Sequence, residues 1–133
     1  MNIKRMITNS LVAGLVAATA LPALAAVPAS AKGREVVRAG NCSGAATSKI
    51  KVKLDDGRID TEFEVDQNRN GQRWRVTLRD NGTRFFRGVR TTHAPSGSFT
   101  VERLTRNRAG KDNITARAVN LASGQVCRAS ATF

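Results

Sequence analysis

The stretch Ser48-Lys49-Ile50-Lys51-Val52-Lys53-Leu54-Asp55-Asp56-Gly57-Arg58-Ile59-Asp60-Thr61-Glu62-Phe63-Glu64-Val65-Asp66 decides the fold. Ile50, Val52 and Leu54 fall on one side of a period-two pattern and Lys49, Lys51 and Lys53 on the other, as in a β-strand with one face on a core. Asp56-Gly57 is a dipeptide that favours the tight turn of a hairpin, and a turn there sets Asp55 opposite Arg58. The predicted register puts Lys53 opposite Asp60, Lys51 opposite Glu62 and Lys49 opposite Glu64. On the other face it sets Leu54 against Ile59, Val52 against Thr61 and Ile50 against Phe63. A slip of one residue destroys both sets at once, so the apolar face and the charges specify the same pairing.

The same reasoning carried forward predicts a second hairpin. With Asn68-Arg69-Asn70-Gly71 as its loop, Asp66 faces Arg73, Glu64 faces Arg75 and Asp60 faces Arg79, while Val65, Phe63 and Thr61 meet Trp74, Val76 and Leu78 inside. The acidic strand then lies between two basic ones. Asn81-Gly82 predicts another tight turn. Beyond it the simple register sets Val76 against Arg87 on the inner face, a conflict that predicts a bulge at Phe85-Phe86 or a strand leaving for a second sheet. Eight alternating runs (34–42, 48–55, 58–66, 72–80, 83–91, 97–105, 113–120 and 125–132) are punctuated by Gly, Asn, Asp and Ser, and no stretch holds a helical period. The expected fold is an all-β, immunoglobulin-like antiparallel β-sandwich of seven or eight strands.

Upstream of the sandwich, Lys4 and Arg5 precede an apolar stretch from Leu11 to Ala26, and Ala29-Ser30-Ala31 offers the small residues a signal peptidase accepts. Residues 1–31 read as a secretory signal peptide and 32–133 as one domain, secreted and extracellular, with no membrane span after cleavage. Cys42 and Cys127, near the two ends of that domain, are expected to form a disulfide, as an even pair does in an oxidising compartment.

The charge balance points to an anionic partner. Of 22 Lys and Arg, only Lys4 and Arg5 fall in the leader, which leaves 20 basic groups against 10 acidic and a formal charge of +10. Arginine dominates at fifteen to five, and its planar fork suits phosphate and carboxylate oxygens. With the pairs above set aside, the candidate anion-binding residues are Arg84, Arg87, Arg90, Arg103, Arg106, Arg108, Lys111 and Arg117, with Arg128 beyond them. Asp66, Asn68 and Asn70 followed by Gly71 match the first half of a calcium loop, but its twelfth position is Thr77 where a carboxylate is needed, and an ordinary turn uses the same residues. His93, the single histidine, stands in a Pro95-Ser96 loop without a nucleophile motif, and Asp60, Glu62 and Glu64 read as exposed, cation-paired carboxylates rather than general acids. No catalytic residue and no cofactor is expected. Five Phe and one Trp, most of them assigned to the interior, argue against a single-strand nucleic-acid reader.

The runs Val65 to Trp74, Ala94 to Val101, Ile114 to Ala118 and Gly124 to Cys127 resemble a group of small secreted actinobacterial proteins of unknown function. The resemblance implies an extracellular protein and assigns no site residues. The last two runs with their cysteine also look like the end of immunoglobulin-like or fibronectin-like domains, which fixes architecture only. The expected function is a non-enzymatic binding module for an anionic cell-wall surface or extracellular polymer. The alternative is a protein-interaction or inhibitor domain that contacts another secreted protein through Thr91 to Gly97.

Overall fold

The computed structural model describes Gly14 and residues 33–133; the rest of the predicted leader lies outside the described residues. Nine strands follow in order: β1 (Glu35–Ala39), β2 (Asn41–Cys42), β3 (Thr47–Asp55), β4 (Arg58–Asp66), β5 (Arg73–Asp80), β6 (Thr83–Thr91), β7 (Ser98–Arg106), β8 (Asn113–Asn120) and β9 (Val126–Thr132). They form two antiparallel sheets, β1-β3-β4-β7 and β2-β9-β8-β5-β6. The fold is an all-β sandwich closed by one disulfide. Among the described residues no helix is long and apolar enough to cross a membrane.

The ninth strand arises because the first predicted run divides at Gly40. Glu35–Ala39 pairs with β3 in one sheet and Asn41–Cys42 with β9 in the other. A Cβ at Gly40 would overlap Ser48 Oγ and the Arg128 carbonyl oxygen, so only glycine lets the chain pass between the sheets here. The consecutive strands β3 and β4 pair in a single sheet, where an immunoglobulin domain sends its second and third strands to different sheets.

The β3–β4 hairpin has the predicted register from Asp55↔Arg58 through Lys49↔Glu64. Asp56 and Gly57 both have positive φ, as a tight hairpin turn demands. Across the outer face Lys51 Nζ lies 2.8 Å from Glu62 Oε2, Lys53 Nζ 3.4 Å from Asp60 Oδ2 and Lys49 Nζ 3.8 Å from Glu64 Oε1.

The second predicted hairpin does not form. The other neighbour of β4 is β7, which sets Glu64 against Thr100, Glu62 against Glu102 and Asp60 against Leu104. Strand β5 lies in the opposite sheet between β6 and β8. Residues 67–72 therefore cross the gap of about 10 Å between stacked sheets. They are held there by the returning crossover between β6 and β7. Gln67 N–H donates to Gly97 O at 3.0 Å, Gly71 N–H to Thr92 O at 2.8 Å and Thr92 N–H to Gln72 O at 2.8 Å. The Thr92 hydroxyl accepts from Gln72 N–H at 2.9 Å and donates to Arg69 O. Gly97, at φ +68°, presses so closely on this loop that a Cβ would overlap the Arg69 backbone nitrogen.

The predicted bulge is present. Arg79 faces Arg84, but the next pair is Leu78↔Phe86, so Phe85 is the extra residue. The shift brings Gly88 rather than Arg87 opposite Val76 and turns Arg87 to the outside.

Large side chains of the four-stranded sheet, Ile50, Val52, Ile59, Phe63, Val65, Phe99 and Val101, pack towards Trp74, Val76, Leu78 and Ile114 and the small Ala116, Ala118, Ala129 and Ala131 of the other sheet. Trp74 is fully buried with its indole 6.4 Å from the Phe99 ring, and its Nε1–H donates to Gln67 Oε1 at 2.9 Å, which satisfies the polar tip of the core's largest residue.

Cys42 and Cys127 are directly opposed on β2 and β9 and are bonded across a sequence separation of 85. A loop of that length contributes about 4 to 5 kcal/mol by restricting the unfolded chain. The Cys42→Ala/Cys127→Ala variant is expected to lose about 4 kcal/mol in urea unfolding; a loss below about 1 kcal/mol would show that sheet pairing alone holds the first strands.

At one end of the sandwich Asp80 and Asp112 are both buried and both touch Arg108, whose Nε is 3.5 Å from Asp80 Oδ2 and whose N–H donates to Asp112 Oδ2 at 3.3 Å. Burial first, and then contact with the Asp112 carboxyl, raises the Asp80 pKa, with Arg108 opposing. A folded-state pKa above the unfolded value means that stability is complete below the ordinary aspartate pKa and falls as pH rises through the raised one. Asp80→Asn, which keeps an acceptor for Arg108 and gains a donor for Asp112, is expected to be more stable than the native protein at neutral pH. The two should converge towards about pH 4, which urea unfolding across the acid range measures.

Candidate functional site

The inward set of the five-stranded sheet determines what its outer face carries. Along β5, Trp74, Val76, Leu78 and Asp80 point inward, so Arg73, Arg75, Thr77 and Arg79 point out. Pairing places Arg84 and Arg87 of β6, Thr115, Arg117 and Val119 of β8, and Val126, Arg128 and Ser130 of β9 on the same outer surface. Seven arginines, Arg73, Arg75, Arg79, Arg84, Arg87, Arg117 and Arg128, are exposed there. Among the described residues no acidic side chain projects from the face. None of the seven makes an ion pair among the described residues; in the same set the one arginine that does is Arg108.

The pairing within this face opposes like charges. Arg79 stands across from Arg84 and Arg117 across from Arg128. Directly opposed like charges destabilise a sheet. The other sheet matches Lys with Asp or Glu at three successive outer pairs. Its β4–β7 pairing also opposes Glu62 to Glu102 and Arg58 to Arg106, so that outer face carries charges of both signs, whereas the face of the five-stranded sheet carries arginines without acidic partners.

The uncompensated face is not flat. One depression of about 830 Å³ is lined by Arg38, Asn41, Arg79, Thr115, Arg117 and Arg128 among others. A second, of about 430 Å³, is lined by Arg75, Arg84 and Arg87 and shares Thr77, Arg79 and Arg117 with the first. The two adjoin across these residues.

Of the residues predicted from sequence, Arg84, Arg87 and Arg117 lie on this face. Arg90 and Arg103 do not: their guanidinium carbons stand 5.1 and 4.6 Å from the Phe86 ring centroid, where β6 and β7 meet at the open edge of the sandwich. Arg106 faces Arg58 at the far end of the four-stranded sheet. Arg108 is engaged by Asp80, and Lys111 shares a separate depression with Arg34 and Phe133. The sequence reading does not single out Arg38, Arg73, Arg75 and Arg79. The predicted second hairpin gives the last three acidic partners on β4 and so conceals them; period-two alternation along β5 is the signal that places them together.

The other candidates have local roles. Asp66 Oδ1 accepts from Asn68 N–H at 2.8 Å and Asn68 has positive φ, an arrangement that shapes the crossover. His93 is exposed with Nδ1 3.4 Å from Thr91 O, and Thr91 to Gly97 is pinned to residues 67–72 by the bonds described above. Asp60 is buried rather than exposed, between Lys53 of β3 and Leu104 of β7. Asp60, Glu62 and Glu102 bring carboxylate oxygens within 4.8 Å of one another, with Lys51 and Lys53 against them. Contact with Asp60 raises the Glu102 pKa, and contact with Glu62 raises that of Lys51.

Comparison of the chain with protein-family models, curated proteins and solved structures returns no match.

Reversing one member of a like-charged pair is expected to stabilise the fold. Arg117→Glu, opposite Arg128, should raise the unfolding free energy by about 0.5 to 1 kcal/mol at low ionic strength, with the gain shrinking in about 1 M salt. Unchanged or lower stability at low salt would mean that the arginines do not repel one another across the sheet.

Proposed function

We propose that the protein is a secreted, non-enzymatic binding module, of the actinobacterial group its sequence resembles, that engages an anionic cell-wall or extracellular polymer through the outer face of its five-stranded sheet. The observation that carries this reading is the concentration of seven exposed arginines on one acid-free face, with like charges directly opposed. Such an arrangement costs stability in the free protein, and an external polyanion relieves it. Solubility alone needs positive charge somewhere on the surface and does not require it in direct cross-strand register. The predicted leader and the disulfide support an oxidising destination outside the cell. Guanidinium forks exposed on rigid strands suit repeated oxyanions along an extended chain.

The test separates a located face from net charge. Arg79→Glu/Arg117→Glu and Arg34→Glu/Arg106→Glu change the net charge equally, the first pair on the face and the second off it. Binding to a purified anionic wall polymer at about 0.15 M salt should fall at least about tenfold for the first variant and less than about twofold for the second, each substituted phosphate contact weakening binding in the salt-dependent manner of a polyelectrolyte. Equal losses in both variants would reduce the interaction to bulk charge and overturn the reading.

A further inference from the structure

This inference rests on the reading of the arginine face as polyanion-binding and narrows it to one subsite and one ligand chemistry. Where the chain passes between the sheets at Gly40, the segment 38–41 forms a wall beside β9, and the larger depression lies against it. Across its floor the register sets Arg79, Thr115 and Ser130 in one row and Thr77, Arg117 and Arg128 in the next. Neighbouring strands are about 4.8 Å apart and successive outward residues about 7 Å apart. Each of the three strands thus offers one guanidinium and one hydroxyl donor, and Arg38 adds a fourth guanidinium from the wall. No carboxylate lines the depression.

The mixture of donors bears on the shape of the anion. A carboxylate is planar, and a single guanidinium fork satisfies both its oxygens. A phosphoester is tetrahedral and presents oxygens in more than one plane, which suits donors that arrive from the floor and the wall together. Hydroxyls between the forks add short-range donors that bring no charge. Recognition of a sugar ring or a nucleobase draws on aromatic stacking. The outward residues of β5, β8 and β9 include no aromatic, and both Phe85 and Phe86 of β6 pack towards the core.

The geometry points to a subsite for the phosphodiester groups of an extended polymer, with Arg79, Arg117 and Arg128 as forks, Arg38 closing from the side, and Thr115 and Ser130 as the neutral donors that distinguish phosphate from carboxylate. Two donor rows give room for two successive phosphates.

The experiment measures binding of the full protein to three labelled probes matched in number of charges: a glycerol-phosphate oligomer, an oligoglutamate and a sulfated oligosaccharide. At about 0.15 M salt the glycerol-phosphate oligomer should bind at least about tenfold more tightly than oligoglutamate, and more tightly than the sulfated probe. Thr115→Val/Ser130→Ala, which changes no charge, should weaken phosphate binding about fivefold and leave oligoglutamate unaffected. Arg117→Lys/Arg128→Lys keeps the charge and removes the forks, and should weaken phosphate binding by a similar factor. Thermal melts establish that each variant is folded, and the two variants test the subsite independently. Equal affinity for phosphate and carboxylate probes, equal loss of both in either variant, or preference for the sulfated probe would overturn the inference and leave the polyanion reading standing. Failure of every probe to bind more tightly than it binds Arg79→Glu/Arg117→Glu would overturn both.

Discussion

The alternation of side chains along β5, β8 and β9 is the constraint on which the fold and the candidate site both depend. Burying Trp74, Val76, Leu78, Ile114 and the alanines of β8 and β9 against the other sheet leaves Arg73, Arg75, Arg79, Arg117 and Arg128 no inward alternative. A fully buried aromatic or large aliphatic residue stabilises by roughly 1.5 to 3 kcal/mol, whereas an exposed like-charged pair costs a few tenths to about 1. The apolar term prevails, so the sheet tolerates arginine against arginine on its surface. The bulge at Phe85 belongs to the same balance: it keeps Arg87 out of the interior and delivers it to the outer face.

The two crossovers at one end make this arrangement possible. Residues 67–72 and 92–97 exchange backbone bonds and meet at Gly97, where even a methyl group would collide with Arg69. The contact sends β5 to the opposite sheet. As a consequence Asp60, Glu62 and Glu64 of β4 pair with the lysines of β3 alone, and the arginines of β5 join those of β6, β8 and β9. Separating the acidic strand from the arginine strands leaves one outer face with charges of both signs and the other cationic.

What was legible in the sequence was local. The β3–β4 register, the turns at Asp56-Gly57 and Asn81-Gly82, the bulge and the pairing of Cys42 with Cys127 each follow from residues close in sequence or from a pair with one possible partner. The sheet to which β5 belongs was not legible. Asp66 against Arg73 and Glu64 against Arg75 satisfy charge and alternation as well as the true pairing does, and a six-residue connection is long enough either to close a hairpin or to span two sheets. The deciding contacts, Gly97 on Arg69 and Thr92 on residues 69–72, come from some twenty or more residues away. The same ambiguity hides three of the seven face arginines, because a residue assigned an acidic partner is not counted as free. Gly40 divided the first run for a similar reason, since the crowding that excludes a side chain there comes from Ser48 and Arg128.

The central claim is that one sheet face, rather than the whole basic surface, meets the anion. Its most direct measurement is a titration of isotope-labelled protein with a phosphodiester oligomer, following each backbone amide by nuclear magnetic resonance. Shifts concentrated on β5, β6, β8 and β9 and on the segment 38–41 beside them, with β3, β4 and β7 still, are the predicted result. Shifts spread over both sheets, or centred on the Arg58 and Arg106 end, would contradict it.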